Sequence, residues 1–128
     1  MKLLSIIIPT YNMEKYLEKC LNSLLIKEHL EKLEILIIND GSKDNSLHIA
    51  QVYEKKYPQI VRVINKENGN YGSCINRGLK ESTGKYIKIL DADDSYDTDL
   101  LAQYINEISD IDTDMIINDF VTGDINNK

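Results

Sequence analysis

The sequence predicts an α/β fold built on a mainly parallel sheet. Two patterns carry that prediction: five short apolar runs separated by helix-like segments, and polar turn residues after successive runs. The runs are Leu4 to Pro9, Leu33 to Ile38, Ile60 to Ile64, Tyr86 to Leu90 and Met115 to Val121. After the first run, Met13, Tyr16, Leu17, Cys20, Leu21 and Leu24 recur at steps of three and four, which makes one helical face apolar, with Asn12 placed to cap it. A second helix, Asp44 to Tyr57, carries Leu47, Ala50 and Tyr53 and stops before Pro58. The third spans Tyr71 to Ser82 and aligns Tyr71, Cys74, Ile75, Gly78, Leu79 and Ser82, with Gly78 suited to close packing and Gly84 to a helix C-terminal turn. Leu101, Tyr104, Ile105 and Ile108 mark a fourth, starting near Asp97 or Thr98. The polar tail from Gly123 to Lys128 reads as a fraying end.

Length and composition bound the possibilities. With 128 residues, 42% hydrophobic, two prolines and six glycines, the chain suits one globular domain with one core. A net charge of -6 without a basic stripe argues against general nucleic-acid binding, so a phosphate ligand would need a metal beside it. No segment has the apolar length of a membrane span, and Met1 to Leu4 lacks the regions of a secretory signal; a cytoplasmic protein is expected. Cys20 and Cys74 form no CxxC pair and read as core residues. His29 and His48 have no partner at ligand spacing and read as surface or structural residues.

The polar residues follow the strands. Pro9-Thr10-Tyr11-Asn12 comes after the first, Asn39-Asp40-Gly41-Ser42 after the second, Asn65 to Asn70 after the third and Asp91-Ala92-Asp93-Asp94 after the fourth. In a parallel sheet all four groups emerge at the carboxyl edge, where open α/β sheets bind ligands. Gly41 and Ser42 offer a tight turn with backbone N–H groups open to a ligand, and the helices that follow direct their positive ends at the same crevice. A nucleotide diphosphate fits such a crevice.

Each group also has a plain structural reading. The acidic run could be a solvated turn with Asp as cap, Asp40-Gly41 an ordinary turn pair, Asn12 a cap and Thr10-Tyr11 a strand end. The loop Asn68-Gly69-Asn70-Tyr71-Gly72 could likewise be a simple turn. Taken together these readings require several coincidences on one edge of one sheet. If the acidic run is a site, clustered carboxylates repel one another and a hard divalent cation supplies the missing charge.

Ser5-Ile6-Ile7-Ile8-Pro9-Thr10-Tyr11-Asn12, Ile37-Ile38-Asn39-Asp40-Gly41-Ser42-Lys43-Asp44 and Gly84 to Asp94 resemble, in order and spacing, the family 2 inverting glycosyltransferases. The resemblance implies the three-layer, Rossmann-like GT-A architecture, with helices on both faces of the sheet. It implies transfer of a sugar from a nucleotide donor, commonly a UDP-sugar, to a carbohydrate or lipid-linked acceptor, with Mg²⁺ or Mn²⁺ bridging the diphosphate. Carried onto this chain, Pro9, Thr10 and Tyr11 would border the base and ribose and Asp40 would accept a hydrogen bond from the base, with Asn12, Gly41 and Ser42 as further substrate-contact candidates in the same loops. Asn70 would add a donor contact from the third loop. Asp91 and Ala92 would lie by the ribose and the metal, Asp93 would ligate the metal directly, and Asp94 would stand behind it. Octahedral oxygen sites with positions left for phosphates suit Mg²⁺ or Mn²⁺ better than zinc.

Two departures from the family pattern shape the expectation. The family often has an arginine in an Ala-Arg-Asn-x-Gly stretch; Ile75 stands at that position here, and Arg77 is the candidate to replace it. The resemblance also implies a general base well after the acidic run. Asp110, Asp112, Asp114 and Asp119 come early for that role and read as loop and helix-end charges. Residues 1–128 are therefore expected to form one nucleotide-sugar-binding domain that stops before the acceptor-binding half. The resemblance points to cell-surface polysaccharide synthesis at the inner face of the membrane. A non-catalytic module of the same fold is the alternative. A phosphatase would want its Asp pair after the first strand and a nucleotidyltransferase a glycine-rich loop there, where Pro9 to Asn12 stands.

Overall fold

A computed structural model of the chain describes residues 2–25, 27–94, 98–109 and 116–117. Strands β1 (Leu4–Thr10), β2 (Leu33–Asp40), β3 (Val61–Lys66), β4 (Tyr86–Ile89) and β5 (Ile116–Ile117) form one sheet in the order β3-β2-β1-β4-β5. Every pairing is parallel, as the alternation of apolar runs and helices predicts. Helices α1 (Leu17–Leu24), α2 (Ser46–Lys56), α3 (Tyr71–Glu81) and α4 (Thr98–Ser109) connect the strands, with a 3₁₀ turn at Lys27–Lys32 before β2. The chain builds outward from β1 through β2 to β3, then crosses to the other side of β1 to lay down β4. The direction reverses between β1 and β4, and at such a switch point the loops part to leave a crevice.

Alternation along the strands makes two cores. Leu4, Ile6 and Ile8 of β1 join Leu33, Ile35 and Ile37 of β2 beneath α1, α2 and α4, which contribute Leu17, Leu21, Ala50, Tyr53, Leu101 and Ile105. Ile7, Leu36, Ile38, Ile64 and Ile87 point the other way and pack under α3 through Cys74. Ile6, Ile7 and Ile8 are fully buried, each stabilising the fold by about 1.5–3 kcal/mol. Helices thus cover both faces, and α3 lies very close to the sheet: a Cβ at Gly78 would stand 2.5 Å from Ile7 Cγ2. The close packing expected of Gly78 is present.

Several boundaries differ from the sequence expectation, for local reasons. α1 starts at Leu17, capped by neither Asn12 nor any other side chain. Asn12 sits at φ 53, in the left-handed region, and Met13 to Tyr16 form a turn in which Tyr16 and Leu17 N–H both donate to Met13 O. Tyr16 is accordingly half exposed. α2 begins at Ser46 because Asp44 Oδ1 accepts its N–H at 2.9 Å. β3 extends past Ile64 to Lys66 because β2 continues to Asp40, its register partner. Gly84 does not terminate a helix. α3 ends at Glu81, its C-cap Ser82 already extended, while Gly84 lies against β1, donates its N–H to Ser5 Oγ at 2.8 Å and leaves no room for a Cβ. Of the fifth run, Ile116–Ile117 forms β5 and the remainder of Met115–Val121 lies outside the described residues, as do the 123–128 tail, Asp97, Asp110, Asp112, Asp114 and Asp119.

A buried acid anchors the amino edge of the α3 face. Glu34 is 5% exposed; Ser5 Oγ and Thr83 N donate to its Oε1 at 2.7 and 2.8 Å, and Thr83 Oγ1 and Arg62 to its Oε2 at 3.0 and 3.3 Å. Arg62 also grips Glu81 at the end of α3. Burial pushes the Glu34 carboxyl up, but the donors from Ser5, Thr83 and Arg62 outweigh it and hold the group below its ordinary value of 4.5. A carboxyl lowered in the folded state contributes stability that is present above its unfolded value and lost as pH falls through the folded one. Urea unfolding followed by circular dichroism should show Glu34→Gln destabilised by about 1–3 kcal/mol at pH 7. The gap should close as pH drops below about 4.5; parallel pH profiles for the two proteins would contradict this account of Glu34.

Candidate functional site

At the carboxyl edge a cavity of about 520 Å³ opens over the switch point. Pro9, Thr10, Tyr11 and Met13 line it from the β1 loop, Asp40 from β2, Asn68, Gly69, Tyr71 and Cys74 from the start of α3, and Asp91, Ala92 and Asp93 from the β4 loop. The parallel pairing of three strands brings together at one edge residues more than eighty positions apart. Of the residues picked out in the sequence, Pro9, Thr10, Tyr11, Asp40, Asp91, Ala92 and Asp93 face this cavity.

Asn12, Gly41 and Ser42 stand behind it and bind loop to loop. Asn12 N donates to Ser42 Oγ at 3.0 Å and Lys43 N donates back to Asn12 Oδ1 at 2.7 Å. Met13 N reaches Ser46 Oγ and Glu14 N reaches Asp44 Oδ2, so the β1 and β2 loops share four hydrogen bonds. Gly41, at φ 71, is needed for its backbone and for space, because a Cβ there would meet Asn68 N at 2.9 Å.

Two residues expected at the ligand do other work. Asn70 caps α3: its Oδ1 accepts Ser73 N–H at 2.8 Å while Ser73 Oγ accepts Asn70 N–H at 3.1 Å. Arg77 lies one turn before the end of α3, where its Nε donates to Glu81 Oε2 at 3.0 Å, and it does not line the cavity. Helical spacing accounts for this: position 78 faces Ile7, and 77 and 81 share the flank that meets Arg62.

Asp40 is 6% exposed and closely held. Lys66 Nζ and Gly69 N both donate to its Oδ1 at 2.8 Å, and Asn68 Nδ2 donates to its carbonyl at 2.8 Å. Burial pushes its carboxyl up; the Lys66 bond, the Gly69 N–H and the Lys66 charge bring it below the ordinary carboxylate range. Burial, then the Asp40 charge, push the Cys74 thiol up, so it remains a protonated wall of the cavity. The sequence set the Asn65 to Asn70 group and the Asn68 to Gly72 loop at this edge, and Asn68, Gly69 and Tyr71 do line the cavity; Met13 and Cys74, read as helix-face residues, were missed, and Lys66 was not singled out. Lys66 closes the third strand, and its partnership with Asp40 comes from the register of β3 against β2.

At the other end, oxygens of Asp91, Asp93 and Asp94 all lie within 4.8 Å of one another. Asp94 N–H donates to Asp91 O, the turn that folds the three carboxylates onto one side. Tyr71, half exposed, donates its hydroxyl to Asp91 Oδ1 at 2.9 Å from across the cavity. Cys20 of α1 lies beneath, its Sγ 4.0 Å from Asp91 O, and burial together with the charges of Asp94, Asp93 and Asp91 pushes its thiol up to about 12. An all-oxygen, multiply anionic donor set fits a hard divalent cation such as Mg²⁺ or Mn²⁺.

A parallel sheet with a switch-point cavity, a buried carboxylate at one end and an acidic cluster at the other defines an α/β domain with a ligand crevice at its carboxyl edge. Comparison with known proteins gives the family: Glycosyl transferase family 2 matches residues 5–128, and the chain belongs to it. It is 38% identical over 114 residues to the uncharacterized glycosyltransferase EpsJ of Bacillus subtilis, covering 89% of this chain and 33% of that one. Against the uncharacterized glycosyltransferase YibD of Escherichia coli it is 46% identical over 91 residues, 71% of this chain and 26% of that one. Among solved structures, TarS of S. aureus in complex with UDP-GlcNAc superposes with a TM-score of 0.72 and 31% identity over 85% of this chain and 31% of TarS. A mannosyltransferase of Pyrobaculum calidifontis, in complex with GDP-Man and Mn²⁺, matches in fold at a TM-score of 0.68 and 23% identity, covering 84% of this chain and 32% of that one. The match spans about a third of the length of EpsJ and about a quarter of that of YibD. The GT-A fold expected from the sequence is present, and among the described residues no helix is long and apolar enough to cross a membrane.

Gly41→Ala should destabilise the chain by about 1–3 kcal/mol, since it combines a left-handed backbone with overpacking against Asn68. Urea midpoints by circular dichroism measure this; a neutral substitution would mean that the β2 loop is not held against Asn68.

Proposed function

We propose that this chain is the donor-binding part of an inverting glycosyltransferase, which holds a nucleoside diphosphate sugar, a UDP-sugar, across the switch-point cavity. One observation carries the reading: a single cavity joins the buried Asp40 carboxylate to Asp91 and Asp93, with Tyr11 and Tyr71 on its walls. The base lies at the Asp40 end, where a carboxylate oxygen accepts an N–H and the Tyr11 ring adds contact. Pro9 and Thr10 border the base and ribose, and the diphosphate faces Asp91 and Asp93. Asp93, exposed, would bind a divalent cation directly, and Asp91 would share it, its Oδ1 oriented by the Tyr71 hydroxyl. When bound, that cation would neutralise charge developing on the departing diphosphate. UDP-GlcNAc in TarS supports the donor class, and Mn²⁺ in the Pyrobaculum mannosyltransferase supports the metal.

The three cavity carboxylates, Asp40, Asp91 and Asp93, all serve the donor in this reading. The general base for inversion and the carbohydrate or lipid-linked acceptor site therefore lie outside the described residues, and cell-surface polysaccharide synthesis at the inner face of the membrane is the role we assign to the whole protein. The same assignment favours a second reading for this chain by itself, binding without turnover. Sugar transfer or donor hydrolysis by the chain, abolished in Asp93→Ala, would remove that second reading.

Calorimetric titration of UDP with and without Mn²⁺ tests the proposal. Binding should require the metal, and Asp93→Ala should weaken it at least about tenfold, about 1.4 kcal/mol. Binding indifferent both to Mn²⁺ and to Asp93→Ala would sink it.

A further inference from the structure

The bonding around Asp40 limits what the base end of the cavity can accept. A carboxylate oxygen takes roughly two hydrogen bonds. Oδ1 already has two, from Lys66 Nζ and Gly69 N, each at 2.8 Å. The Cys74 thiol also hydrogen-bonds the Asp40 carboxyl, and among the described residues Oδ2 takes neither the Lys66 nor the Gly69 donor, so Oδ2 is the oxygen that keeps an acceptor position for a ligand. Lys66 cannot easily withdraw. An ammonium has three donors, and Lys66 uses all of them, on Asp40 Oδ1, on Glu67 O at 2.8 Å and on Ser73 Oγ at 3.0 Å. Its place is further set by the capping box of α3, which includes Ser73, and by Gly69, where a Cβ would stand 3.0 Å from Nζ.

We infer that Lys66 determines base specificity: by filling Asp40 Oδ1 it restricts the pocket to a base that presents a single N–H, a uracil, and rejects guanine. The inference rests on the donor-site reading above. Guanine offers a carboxylate two parallel donors, N1–H and N2–H, which need both oxygens; here the second N–H meets an oxygen already saturated and stays unpaired in a buried site. Uracil offers one donor, N3–H, which Oδ2 alone satisfies. The Lys66 charge also neutralises Asp40, so the remaining oxygen meets a neutral base without leaving an uncompensated buried anion. Lys66 touches no part of the base in this scheme; it acts through Asp40 as a positioning residue.

Affinity ratios separate this role from a merely structural one. With Mn²⁺ present, the chain should bind UDP at least about tenfold more tightly than GDP by calorimetry, a difference of about 1.4 kcal/mol. Lys66→Met keeps the aliphatic stem and frees Oδ1, so the UDP-to-GDP ratio should fall at least about fivefold, chiefly through tighter GDP binding. Lys66→Gln, which still donates to Oδ1, should keep more of the preference than Lys66→Met, and gives a second variant should the first fail to fold. A wild-type ratio near one, or a folded Lys66→Met that weakens UDP and GDP equally, would overturn the inference. Failure of the wild-type chain to bind either diphosphate would instead strike the donor-site reading, and the inference with it.

Discussion

The parallel register of β1 between β2 and β4 is the constraint on which everything else hangs. Thr10 stands level with Asn39 on one side, and Ile7 pairs with Ile89 on the other, so all three loops leave at the carboxyl edge, that of β4 three residues lower than that of β1. A slip of one residue in β2 would turn Asp40 from the α3 face to the opposite one and carry Leu36 and Ile38 out of their core. Burial of the isoleucines on both faces makes such a slip costly, since every one of them would exchange an apolar neighbour for a mismatched one. The cavity is therefore a by-product of core packing, and its residues need no separate device to find each other.

α3 is the element that turns this crevice into a site, and it is held at both ends by charge. Glu34, Arg62 and Glu81 tie its last turn to the amino edge; Asp40, Lys66 and Ser73 tie its first turn to the carboxyl edge. Buried ion pairs stabilise only when the remaining hydrogen-bonding positions are filled. The Glu34 network meets that condition through Ser5 and Thr83, while Asp40 fills Oδ1 with Lys66 and Gly69 and keeps an acceptor position on Oδ2 at the cavity. Between them Gly78 lets the helix settle onto Ile7, which sets the depth of Cys74 and hence of the cavity floor.

How far this could be read from the sequence depended on the range of the determinant. Strand order of events, helix faces and the carboxyl-edge convergence of Pro9 to Tyr11, Asp40 and Asp91 to Asp93 follow from periodicity and from where the polar residues sit, both local. Asn12 was misread because a cap and a cross-loop anchor use the same chemistry, and only its left-handed backbone distinguishes them. Gly84 was misread for a similar reason: glycine serves a helix end and a close approach to a strand equally well. Arg77 was assigned to the ligand by position in a motif and Asn70 by its loop's place on the ligand edge, whereas helical phase pairs the first with Glu81 and the capping box takes the second. Lys66 needed the register of β3 against β2, which no single segment contains.

The four hydrogen bonds joining the β1 and β2 loops have a consequence for how such a domain can vary. Surface loops ordinarily accept insertions at little cost, because closing a slightly longer loop loses little entropy. Here a residue added after Tyr11 would displace Asn12 from Ser42 and Lys43, and one added after Gly41 would do the same from the other side. The lengths of the two loops are thus coupled, and change in one is tolerated only with a matching change in the other. New sequence has freer entry at positions outside this pair, so the wall that borders the base is the part of the pocket least open to remodelling by insertion.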